Sequence, residues 1–99
     1  MNFVIKIEPE ALQDIQEAID WYELQKGGLG EKFYDHLEMS MKSLESNPYF
    51  QVRYTSIRCL PLNIFPYMIH FSIDETKSIV IVRAVFNTAR NPEKWKGRL

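Results

Sequence analysis

The sequence predicts an α+β fold in the order β-α-α-β-β-β. An N-terminal strand leads into a helical hairpin, then a three-stranded antiparallel meander, with the helices packed on one face of one sheet. Three observations carry this. Apolar residues recur at helical spacing between Pro9 and Ser46, with one break at Gly27-Gly28. After Pro48 the apolar pattern switches to period two. The break KGGLG is too short to join anything but antiparallel neighbours.

The elements follow in order. Phe3, Ile5 and Ile7 alternate with Val4, Lys6 and Glu8, so residues 2–8 read as a strand. Pro9 suits a first helical position, and Glu8 and Glu10 suit the positive end of the helix dipole. Leu12, Ile15, Ile19 and Tyr22 then form one stripe, flanked by Ala11 and Ala18. Gly27 and Gly28 stop that helix. Phe33, Leu37, Met41 and Leu44 form the stripe of the second, which Asn47-Pro48 ends. Tyr54 to Leu62 reads as a strand edged by Pro61, and Phe65-Pro66 marks a bend. Tyr67, Ile69, Phe71 and Ile73 give a strand with one strongly apolar face. Asp74 to Lys77 is a hairpin loop, and Ser78 to Phe86 is a β-branched strand expected at the centre. Asn91 and Pro92 suit the cap and first position of one helical turn over 91–97.

Composition bounds the function. The 99 residues make one domain, 1–99, with 45% apolar and 25% charged residues, ordinary for a globular chain. Cys59 is the only cysteine, so no intrachain disulfide forms. No stretch is long and apolar enough for a membrane span, and MNFVIKIEPE does not read as a signal peptide. A cytoplasmic protein without a membrane partner is expected. His36, His70 and one cysteine give no metal-ligand spacing, and the glycines join two helices rather than cradling phosphate, so no metal or cofactor is expected. Net charge is −1, which argues against a generally basic nucleic-acid binder. The average hides a split: residues 1–50 carry −6 and residues 76–99 carry +5. Either the C-terminal part meets an anion or acidic partner, or the two halves of the chain attract each other.

Several segments together resemble the RelE/ParE superfamily of bacterial type II toxins. They are DIQEAIDWYE, GLGEKF, ESNPYF, IR followed by FPYMIHFSID, and AVFNTARNPEKW. Their order and spacing are more similar to the ParE branch and its plasmid-stabilisation relatives than to RelE. The resemblance implies a small toxin neutralised by a cognate antitoxin that folds on binding. It implies a target as well: DNA gyrase for a ParE-like protein, or ribosome-bound mRNA for a RelE-like endonuclease. A toxin-fold module that has lost toxicity is a third reading, and a homodimer is among the assemblies allowed.

Metal-independent RNA cleavage needs a base, an acid and cations around the phosphorane. RelE-type nucleases carry an arginine just after a tyrosine of the third sheet strand, which would fall at Met68. Their preceding-strand lysines would fall near Cys59 and Pro61. Those positions are neutral here, and where the family often has a histidine this chain has Asn87. The expectation is therefore binding without bond-making. Arg58, His70 and Arg90 are the residues left for catalysis if there is any. Arg58, Arg83, Asn87, Arg90, Lys94 and Trp95 are the candidates for target contact. Each has a structural alternative: a local ion pair for Arg58 and Arg83, a half-exposed strand histidine for His70, turn capping for Asn87, and tail anchoring for Trp95. Arg90, just past a strand end and before Asn91-Pro92, is the strongest of them. Trp21 and Tyr22 are expected to pack within the hairpin.

Overall fold

The structure, a computed structural model, describes residues 2–89. Its elements are β1 (Val4–Ile7), α1 (Pro9–Gln25), α2 (Leu29–Ser43), β2 (Val52–Tyr54), β3 (Ile57–Pro61), β4 (Tyr67–Asp74) and β5 (Ile79–Asn87). The strands form one sheet in the order β1-β5-β4-β3-β2. β1 runs parallel to β5, and the remaining neighbours are antiparallel. Both helices pack on one face, which confirms the predicted α+β architecture. Among the described residues no helix is long and apolar enough to cross a membrane.

The helical hairpin forms for local reasons. Pro9 opens α1, where its missing N–H is not needed. Gly28 precedes α2 with φ of 90°, a left-handed conformation that glycine adopts without strain. Glu23 sits near the C-terminus of α1, where the helix dipole disfavours a carboxylate. It is used at the start of α2 instead. Its carboxylate accepts from Gly28 N–H at 3.0 and 3.1 Å and from Gly30 N–H at 3.1 Å, so donors that open the second helix are satisfied by the first.

The buried stripe of α1 is Ala11, Ile15, Ala18 and Tyr22. Leu12, expected in it, is 53% exposed, so the helix is rotated from the predicted face. The rotation has a physical cause. Small Ala11 and Ala18 let α1 lie close on the sheet, and Asp14 accepts a hydrogen bond from Val85 N–H at 3.0 Å. The stripe of α2, Phe33, Leu37, Met41 and Leu44, is buried as predicted. Four aromatic rings close one end of the core. Tyr22 stacks on Phe33 at 5.2 Å, and Phe65 meets both edge-on at 5.0 and 5.2 Å. Tyr67 adds a contact to Phe33 at 5.1 Å, which joins both helices to the start of β4.

The strand expected over Tyr54 to Leu62 is two elements. Thr55 takes a positive φ of 45°, the chain turns, and β2 pairs back on β3 as a short irregular edge. The meander therefore has four strands, with β2 its outermost member. β5 departs from regular pairing once. His70 pairs with Ala84 while Phe71 pairs with Val82, so Arg83 is an extra residue, a β-bulge. Before it Val80 and Val82 face the helices; after it Val85 does, while Ala84 and Phe86 turn to the outer face.

Gly30 marks a close approach of the two helices, since a Cβ there would lie 2.6 Å from the Ile19 carbonyl oxygen. Gly30→Ala gains about 1 kcal/mol of helix propensity but forces backbone apart, an overpacking cost of about 1–3 kcal/mol. A net loss of about 1 kcal/mol is expected, seen as a melting temperature about 4–8 °C lower. A raised melting temperature would show that the hairpin opens without cost.

Candidate functional site

Charge is sorted by layer. α1 carries Glu10, Asp14, Glu17, Asp20 and Glu23 and no Lys or Arg. The strands carry Lys6, Arg53, Arg58 and Arg83 against Asp74. The acidic half of the split seen along the sequence is thus largely the helical layer, while most of the basic half falls in residues 90–99, outside the described residues.

Arg58 and Arg83 do not share a surface. Arg58 pairs across β3–β4 with Phe71, whose side chain is in the helix-side core. Arg58 Nη1 donates to the Phe50 carbonyl at 2.6 Å, and its guanidinium lies 5.6 Å from the Tyr49 ring centroid. It holds the segment that leaves α2. Arg83 lies on the outer side. It donates to Ser72 Oγ at 3.1 Å and to Glu8 at 3.2 Å, tying the bulge to the corner between β1 and α1. That ion pair is more than a third exposed, so its worth is below about 1 kcal/mol. Its geometric role is to hold the bulge.

His70 is fully buried, not half-exposed as expected. The reason is its position on β4, between Cys59 of β3 and Ala84 of β5, on the outer face. Tyr54 Oη lies 2.8 Å from His70 Nδ1, Cys59 Sγ lies 3.5 Å from it, and the Phe86 ring meets the imidazole edge-on at 5.0 Å. Met68 and Phe86, opposite each other beside this pair, are also buried. The middle of the outer face is therefore apolar and closed. Burial pushes the Cys59 thiol up to about 11, against a smaller opposing pull from Arg53. Among the described residues no cluster of three or more His, Cys, Asp or Glu is placed to hold a metal ion.

Asn87 ends β5, and its Oδ1 accepts from Ala89 N–H at 2.8 Å, a local turn cap. Arg90, Lys94 and Trp95, with the helical turn expected over 91–97, lie outside the described residues.

One groove lies beside β5, and no candidate except Asn87 had pointed to it. It has a volume of about 480 Å³ and is lined by Asp14, Glu17, Ala18 and Trp21 of α1, by Tyr67, and by Val85, Asn87 and Ala89. Tyr22 is buried in the core as expected, while Trp21 is 54% exposed and keeps only a T-shaped contact with the Tyr22 ring at 5.0 Å. Asp14, Glu17 and Trp21 are spaced i, i+3 and i+7, a second stripe beside the buried one. That spacing is legible in the sequence, but only once the helix rotation is known. The groove offers carboxylates, an indole and a strand edge, a set suited to holding a peptide.

Residues 5–92 match the family described as ParE toxin of type II toxin-antitoxin system, parDE. No curated protein matches the chain. Among solved structures, the chain is similar to one from the chromosomal ParDE toxin–antitoxin system of P. aeruginosa, with a TM-score of 0.77 and 16% identity over 86% of this chain and 95% of that one. It is similar to one from the RelBE2 toxin–antitoxin complex of Mycobacterium tuberculosis, with a TM-score of 0.63 and 13% identity over 91% and 95% of the two chains. It is also similar to a mutant of the E. coli toxin RelE in the free state, with a TM-score of 0.62 and 14% identity over 99% and 95%. These identities carry the fold.

The raised value for Cys59 has a direct readout. An ordinary thiol has a value of 9.0, so at pH 8 the folded protein holds roughly a hundredfold less Cys59 thiolate than the unfolded chain. A disulfide reagent is expected to label the native protein at least that much more slowly than the urea-unfolded protein. Equal rates would mean that the outer face opens readily.

Proposed function

The chain belongs to the family of ParE toxins of type II toxin–antitoxin systems, and from that premise we propose that it acts by gripping a macromolecular target, such as DNA gyrase, without cutting RNA. The observation that carries this reading is the closed outer face of β3–β5. A nuclease of this fold needs an accessible acid, base and cations on that face. Here its middle is Met68, His70, Ala84 and Phe86, all buried. His70 Nδ1 faces Tyr54 Oη and Cys59 Sγ.

Target contact then falls to the basic segment that follows β5. Arg90 leads it, with Lys94 and Trp95 behind and Asn87 shaping the turn before them. Arg58 and Arg83 hold the 47–50 segment and the β5 bulge, and so support the strand from which that segment leaves. A cognate antitoxin neutralises the protein in the cytoplasm by covering part of this surface with a segment that orders on binding. The names of two similar structures describe toxin–antitoxin systems, which supports a partner of that kind.

Expression of the protein in a bacterial host is expected to arrest growth, and co-expression of the adjacent reading frame to restore it. Purified protein is expected to inhibit DNA supercoiling by gyrase. Arg90→Ala is expected to weaken both effects, with the melting temperature changed by less than about 4 °C. A large loss of stability would make Arg90 a structural residue. Growth arrest with gyrase unaffected would remove gyrase as the target, and an absence of any arrest would favour a non-toxic interaction module.

A further inference from the structure

We propose that residues 51–56, the edge segment that contains β2, form a strap over the outer face, and that Tyr54 is its latch on His70 and Cys59. The strap opens as a unit while the rest of the sheet stays folded. This device does not depend on which partner the protein grips.

The strap is weakly held along its length. β2 is three residues long and, among the described residues, has a neighbouring strand on one side only. It pairs with β3 through Val52–Arg58 and Tyr54–Ile57, with a register shift between them. β3 pairs with β4 through four consecutive residues, Arg58 to Pro61, so the loss of β2 leaves that ladder intact. The turn after β2 holds Thr55 at φ of 45°, a conformation that β-branched side chains rarely adopt. Both ends of the segment are fixed. The Phe50 carbonyl accepts from Arg58 Nη1, and Ile57 is buried. Between those anchors Gln51, Val52, Arg53, Thr55 and Ser56 are exposed, and Tyr54 is the one side chain that turns inward.

The latch is a single phenol. Tyr54 Oη lies 2.8 Å from His70 Nδ1, with the two rings 5.8 Å apart, and Cys59 Sγ lies 3.5 Å from the same nitrogen. His70 has no exposed surface and Cys59 has 6%. Closure gains a hydrogen bond, the partial burial of one ring and two ladder pairs. Against that it orders six residues. The opposing contributions are close in size, so the open form is a minor state reached by ordinary local opening. In the open form the imidazole and the thiol are uncovered from the β2 side. In the closed form neither is presented. The shut outer face is therefore one state of a switch, and the Tyr54 hydroxyl biases it toward closure.

The test times the labelling of Cys59 by a disulfide reagent in the intact, folded protein. In low urea the wild-type rate is expected to change little with urea, because opening the strap exposes little surface compared with unfolding. Tyr54→Phe keeps the ring and removes the hydroxyl, and is expected to raise the rate about tenfold. Gly30→Ala weakens the helical hairpin in the closed and open forms alike, and is expected to leave the rate unchanged. A rate that Tyr54→Phe does not alter would show that the face is shut without the latch, and would overturn the proposal. So would a rate with the urea dependence of global unfolding, or one that Gly30→Ala accelerates as much as Tyr54→Phe does.

Discussion

A single bulge at Arg83 decides how the two halves of β5 are used. Without it, strand alternation would send Ala84 and Phe86 into the helix-side core and turn Val85 N–H toward β4. With it, Val85 enters the core and its N–H reaches Asp14, while Phe86 joins Met68 and His70 on the outer face. The first half of β5 is covered by β1 and the second is left to α1. The bond from Val85 to Asp14 also sets the rotation of α1. That rotation puts Ala11 and Ala18 against the sheet and leaves Trp21 in the groove. Arg83 holds the bulge through Ser72 of β4 on one side of β5 and Glu8, at the corner between β1 and α1, on the other.

The helical layer is acidic, with five carboxylates and no Lys or Arg on α1. Under the function proposed above, the basic run of the sequence after β5 would meet the target. A partner that covered neighbouring ground would then inhibit by occupancy, without remote coupling.

Much of this fold is legible in the sequence because its periodicities are strong. The hairpin and its Gly27-Gly28 break, the alternation of Tyr67 to Ile73, and the apolar run of β5 all follow from spacing alone. The features missed are those that depend on tertiary contact. Leu12 and Ala11 compete for one helical face, and hydrophobicity favours Leu12. The close approach of helix and sheet favours the alanine. The turn at Thr55 requires a left-handed residue that is not glycine, so nothing in the sequence marks it. His70 has the parity of an outward residue, and periodicity cannot tell an open outer face from a closed one. The bulge leaves no mark either, since VIVRAVF reads as an unbroken strand. The site was partly legible for the same reason. Asn87 and the basic tail stand out as residue types, but the groove exists only once the helix rotation and the bulge are in place.

The proposed function is binding without cutting, because Met68, His70, Ala84 and Phe86 on the face that would need a base and an acid are buried. The most direct measurement is to incubate the purified protein with ribosomes stalled on a defined mRNA and map the 5′ ends of the transcript. Intact transcript, at protein concentrations that inhibit gyrase, is the result expected. Cuts at a fixed position relative to the ribosome would contradict the account, and would mean that the buried face around His70 opens to receive RNA.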